Sequence, residues 1–262
     1  MGITIDKKKI IFAGCSFTYG HGLWHYTKEE GLPKDDKVIH YYEFPESLKF
    51  MEDNRFAHLV SEHFGVKEIL KPTTSGCDEV SLYFIRELFG LKRPKRWTED
   101  ELNYEEVSHV IFQTSFLDRC GLFVNGKRIQ ISDFENFTFN PRDDKGDLGI
   151  FWEKLKSFYY KEIQKMFQFL EEKNIKCYMI AMDYDYQDLI EKDESMMKRF
   201  IEIEYDGKTF NNFRSLSEYN KKLIICNDTD FFDEPPKDLH PGLEWQRIVA
   251  NSIIKKLETD LS

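Results

Sequence analysis

Five short apolar runs, separated by stretches with helical spacing, restrict this chain to few architectures. They read "KIIFAG" (9–14), "VKEIL" (66–70), "HVIFQT" (109–114), "KCYMIAM" (176–182) and, more weakly, "KKLIICN" (221–227). None alternates cleanly between apolar and polar, so each reads as a strand buried on both faces. Between them, "NRFAHLVSEHFG" puts Phe56, Leu59, Val60 and Phe64 on one helical face and stops at Gly65. "CDEVSLYFIRELFGL" places Val80, Tyr83, Phe84 and Leu88 at helical spacing, with acidic residues in its first turn. "FWEKLKSFYYKEIQKMFQFLEEKN" turns Leu155, Phe158, Ile163, Phe167 and Leu170 inward, and a last helix follows "HPG". Strand alternating with helix predicts a parallel sheet of about five strands covered on both faces. No Gly/Ser linker or composition break divides the chain, which reads as one domain, 1–262, carrying long insertions at 17–54, 119–150 and 183–220. The second insertion contains "GLFVNGKRIQI", whose Asn125-Gly126 predicts a hairpin.

Composition narrows the possible partners. A hydrophobic share of 41% with 15% aromatics supports a substantial core. No apolar run approaches the roughly 18 residues of a membrane span, and the apolar stretch near the N-terminus is too short for a signal-peptide core. The chain is therefore expected to be soluble, cytoplasmic and without a membrane partner. Five cysteines, 15, 77, 120, 177 and 226, form no CxxC pair, which argues against a disulfide framework and a zinc ribbon. The formal charge of −10 disfavours nucleic-acid binding. The basic island "LKRPKRW" (91–97) reads as a solvated loop after a helix. Homo-oligomerisation stays open.

The stretch "IIFAGCSFTYGHGL" ends a strand in Gly14, Cys15 and Ser16. It lacks the spacing and lysine of a P-loop, and "GHGLWH" breaks the dinucleotide pattern. A plain turn and a nucleophile mount remain. Ligands of open parallel sheets gather beyond the carboxyl ends of strands, and Ser16 stands there. A serine hydroxyl needs a base, and His240 in "PKDLHPGLEW" is a candidate, with Asp238 two residues before it. Gly76 follows the second strand in "PTTSGCDEV", while Gln113, Thr114 and Ser115 end the third in "FQTSFLDR". Elements suited to acyl transfer thus follow the first, second, third and last strands at one edge. His21 and His25 share a metal-compatible spacing, but no third ligand is evident, and neither a metal nor another cofactor is expected.

In these blocks the chain resembles the SGNH, or GDSL-type, hydrolase superfamily. "AGCSFTYG" stands for the Gly-Asp-Ser block, "TTSGCDE" for the second-block glycine, "QTSF" for Gly-x-Asn-Asp and "DLHPG" for the last block. It is similar in particular to uncharacterised SGNH-type proteins frequent in tailed-phage genomes, with a "GCSFTxGxGL" start. The resemblance implies a three-layer α/β/α sandwich with a flavodoxin-like strand order. It also implies Ser16 as nucleophile, His240 as base and Asp238 as the group orienting His240. Oxyanion donors would be the Ser16 and Gly76 N–H groups with Ser115 or Gln113, and Arg119 would meet an anionic substrate group or pair with a carboxylate. The implied activity is cleavage of a small-molecule or glycan ester, such as an O-acetyl group, through an acyl-serine. A catalytically impaired binding or interaction protein on the same scaffold is the alternative, because the third-block asparagine is missing. Asp230 or Asp233 could orient His240 in place of Asp238, Cys15 could be the nucleophile, and 22–44 could wall the pocket or only pack on the rim.

Overall fold

The computed structural model describes residues 9–27, 44–70, 77–91, 101–115, 117–125, 127–130 and 147–261. The chain begins with β1 (Lys9–Ala13), α1 (Ser16–Tyr19), α2 (Pro45–Asn54), α3 (Phe56–Phe64), β2 (Lys67–Leu70) and α4 (Asp78–Leu88). β3 (Val107–Gln113), the hairpin β4 (Gly121–Val124) and β5 (Lys127–Gln130), α5 (Asp147–Glu171) and β6 (Lys176–Ile180) follow. Then come α6 (Gln187–Ile190), α7 (Glu194–Arg199), the hairpin β7 (Ile203–Tyr205) and β8 (Lys208–Phe210), α8 (Phe213–Tyr219) and α9 (Leu243–Leu261).

The central sheet has the order β2-β1-β3-β6, with every pairing parallel. Successive strand residues point to opposite faces, and the packing follows that period. Ile11, Val110 and Phe112 meet Leu82 and Ile85 of α4 and Leu155, Ile163 and Phe167 of α5. Ile10, Phe12 and Ile111 meet Phe56 and Val60 of α3 and Trp245, Val249 and Ile253 of α9. Helices therefore cover both faces of a parallel sheet, an arrangement consistent with a three-layer sandwich. α3 stops at Gly65, whose φ of +66° supplies the left-handed cap that glycine adopts most easily.

Two sequence expectations need correction. The fifth strand at 221–227 is replaced by 3₁₀ turns at Lys221–Leu223 and Ile225–Asn227. The Asn220 side chain accepts the Lys222 N–H and bends the segment. Among the described residues the segment makes one antiparallel bridge, Ile224 to Pro241, and no ladder; proline has no N–H to continue one. The sheet thus has four strands among the described residues. On α5, Phe158 is exposed, not inward. The buried stripe runs through Leu155, Tyr159, Ile163, Phe167 and Leu170, and Phe158 sits one residue off it, edge-on to Tyr159.

The insertions carry elements of their own. β4 and β5 pair antiparallel around Asn125, at φ +51°, as its sequence predicts. The region 183–220 holds α6 to α8 and the β7–β8 hairpin, whose Asp206-Gly207 turn has positive φ at both residues. The expectations for Gly76 and for most of the basic island at 91–97 and of segment 22–44 lie outside the described residues.

Candidate active site

The residues after β1 make a tight turn directly into α1, with Cys15 as its extended N-cap. Gly14 is required there by space: a Cβ would lie 2.1 Å from Thr18 Oγ1 and 2.9 Å from Gln113 Cβ. The turn brings β1 and β3 into side-chain contact. Gln113, at the end of β3, donates from Nε2 to Thr114 O at 2.9 Å and to Cys15 Sγ at 3.1 Å, and its Oε1 accepts from the Thr18 hydroxyl. Both amide hydrogens of Gln113 are thus engaged within the protein. In this arrangement its side chain braces the turn. Cys15 is buried with its sulfur on Gln113, whereas Ser16, the next residue, is only partly buried.

At the other end of the chain, the segment preceding α9 is stitched to the 3₁₀ turns of 221–227. Ile225 N–H donates to His240 O, Cys226 N–H to Asp238 O and Gly242 N–H to Leu223 O. The failed fifth strand therefore serves as the support for the Asp-x-His loop. His240 Nε2 lies 3.0 Å from Ser16 Oγ, across a separation of 224 residues. His240 Nδ1 lies 2.7 Å from Asp238 Oδ1, which also accepts the His240 backbone N–H at 2.8 Å. A carboxylate only accepts, so Nδ1 carries the proton and Nε2 is left as acceptor for the Ser16 hydroxyl. With one residue between Asp238 and His240, a single carboxylate oxygen takes both His240 donors. Asp230 is an exposed partner of Lys222.

Asp238 is fully buried. Burial works against its charge, yet hydrogen bonds from His240 and His25 outweigh that and hold the carboxyl below the ordinary carboxylate range. The ring of Phe17 stands edge-on to His240 at 5.7 Å, and that of His21 lies 4.4 Å from it on another side. The Ser115 backbone N–H donates to Asp78 Oδ1 at 2.7 Å, fixing the second residue after β3 to the start of α4. Ser115 is buried. Arg119 is exposed on the 3₁₀ turn Leu117–Arg119. Geometry therefore gathers Ser16, Asp238 and His240 closely, sets Ser115 on the brace to α4, and turns Gln113 inward.

Sequence reasoning missed His25 as a partner of Asp238. Its Nε2 lies 3.0 Å from Asp238 Oδ2, with both side chains buried. The only signal was a second histidine in the loop directly after the serine, and spacing alone does not aim its ring at a residue 213 positions away. In the sequence Asp78 shows only as a first-turn acid of α4.

No protein-family model matches the chain, and no curated protein does. Among solved structures, the chain is similar to a carbohydrate esterase whose active site displays divergent catalytic and non-catalytic binding functions. The TM-score is 0.51 at 13% identity, over 98% of this chain and 70% of that one. At that identity the likeness extends to the fold.

Proposed function

We propose that the chain is a single-domain esterase of SGNH type that cleaves a small ester through an acyl-Ser16 intermediate. One observation carries this reading: the unbroken relay from Ser16 Oγ through His240 to buried Asp238, at 3.0 and 2.7 Å. Ser16 passes its proton to Nε2 as Oγ attacks the ester carbonyl. Charge forming on Nδ1–H of the imidazolium is met by Asp238, which stays ionised because its donors hold it so. The protonated Nε2 then delivers its proton to the leaving alcohol, and water, activated by the same nitrogen, releases the acyl group. The N–H groups of Ser16 and Gly76, with Ser115, are the candidate donors to the oxyanion. Arg119 is the candidate contact for an anionic substituent. The likeness to a carbohydrate esterase favours an O-acyl substituent on a glycan as substrate, and a four-stranded core in the order β2-β1-β3-β6 is in keeping with a flavodoxin-like arrangement that lacks its last strand.

An alkyl fluorophosphonate probe should label the wild-type chain at Ser16 and leave Ser16→Ala unlabelled. Hydrolysis of p-nitrophenyl acetate should fall at least about 10³-fold in the same variant. Equal labelling of both proteins would end this reading. A second reading, a ligand-binding module without turnover, draws on the engaged amide of Gln113, since one oxyanion donor is worth about 10²–10³ in rate. It expects a glycan ester to bind the wild type and Ser16→Ala alike, with no product from either.

A further inference from the structure

Asp238 needs more than His240. Its Oδ1 is filled by the two His240 donors, which leaves Oδ2 to be satisfied where no water reaches, because the residue is 0% exposed. An unpaired oxygen on a buried carboxylate is costly, and a carboxylate held on one side only can turn about its Cβ–Cγ bond. The group that fills Oδ2 is His25 Nε2 at 3.0 Å. Since Oδ2 only accepts, His25 presents its N–H there.

The approach is built into the chain. His25 lies on the 3₁₀ turn Leu23–Thr27, its backbone N–H bonded to Gly22 O and its ring tilted against Trp24. Gly22, at φ +89°, passes so close that a Cβ would stand 2.9 Å from Asp238 Oδ2 and 3.0 Å from His240 Cβ. Ser16 and His25 belong to one short stretch of chain, so this contact ties the nucleophile's own loop to the Asp-x-His loop.

Resting on the serine-hydrolase reading, we infer that His25 is a positioning residue: by donating to Asp238 Oδ2 it fixes the carboxylate so that Oδ1 aligns His240 toward Ser16. Its effect falls on the rate of attack, not on substrate binding.

The test measures how fast a fluorophosphonate inactivates the full chain as its concentration is varied, which separates the maximal rate from probe affinity. His25→Phe, which keeps a ring and loses the donor, should lower the maximal rate about 10–100-fold, with affinity within about threefold of the wild type. His25→Gln, whose amide N–H reaches the place of Nε2, should restore the rate to within about threefold of the wild type. If His25→Phe does not fold, His25→Asn, whose amide falls short of Asp238, takes its place. In proton NMR, the downfield resonance of His240 Nδ1–H should move or broaden in His25→Phe and persist in His25→Gln. Ser16→Ala should keep it, so that signal does not depend on chemistry. Equal inactivation of wild type and His25→Phe would overturn this inference alone, as would an equal loss in Phe and Gln variants, which would make His25 a space-filler. A wild type that the probe does not label would bring down the hydrolase reading and this inference with it.

Discussion

Asp238 and Asp78 are both wholly buried carboxyls, one in the loop before α9 and the other opening α4, and their surroundings drive them to opposite charge states. Asp238 receives two imidazole N–H groups and a backbone N–H, and its pKa is held low. Asp78 receives one backbone N–H, from Ser115, and the hydroxyl of Tyr186. Burial dominates there, only partly offset by those two bonds, and pushes its pKa up to about 8; nearby Cys77 and Asp185 add to the rise. Desolvation raises both, and the donors around each, whether any of them can become cationic, and the acids nearby separate the two. One carboxyl is held ionised beside two imidazoles. The other is a neutral clamp between β3, α4 and Tyr186 over much of the working pH range.

The largest effect that would break this contrast lies at Asp238. Asp238→Asn should lower kcat/KM for p-nitrophenyl acetate by about 10⁴, because the amide favours the wrong imidazole tautomer and cannot meet the imidazolium. Asp78→Asn, which can still accept from Ser115 and bond Tyr186, should stay within about tenfold of wild type. Comparable losses in both would erase the distinction.

The two sites should next separate by pH. The folded pKa of Asp78 is raised, so its contribution to stability is complete below the unfolded carboxylate value of about 4. That contribution is lost as pH rises through about 8. Asp78→Asn should therefore gain on the wild type between those limits, read as an increasing urea midpoint difference. Asp238 behaves in the reverse sense: its depressed pKa stabilises the fold above about pH 4 and that support drains away as the solution is acidified further. The smallest expected change is at Tyr186. Tyr186→Phe removes one of the two donors to Asp78, which should cost about 1–3 kcal/mol in a denaturant titration and push the Asp78 transition to still higher pH.

Sheet strands were readable because each is a compact apolar run between turn residues, and the four observed ones agree with the runs at 9–14, 66–70, 109–114 and 176–182. The weaker run at 221–227 also reads as a strand, but its fate depends on Pro241 and on the Asn220 side chain, information that a local hydrophobic pattern does not hold. Phe158 shows the same limit within a helix, where an aromatic one residue off the stripe looks inward by composition alone. For the candidate site, Ser16 stands out by its position after β1, whereas Asp238 and His240 stand out by residue type just before the last helix, since no strand precedes them at 221–227. Gln113 could not be placed, because the direction of its amide is set by Cys15 and Thr18 across the β1–β3 junction. His25 was legible only as chemistry without a target.

The two-residue step from Asp238 to His240 closes a small ring of its own, since the carboxylate grips the backbone as well as the imidazole of the same downstream residue. With His25 on its second oxygen, that unit is also fixed to the stretch of chain that carries Ser16. Changes in the long segments inserted elsewhere that shifted this loop would displace Asp238 and His240 together, opening gaps at Ser16 and at His25 at once.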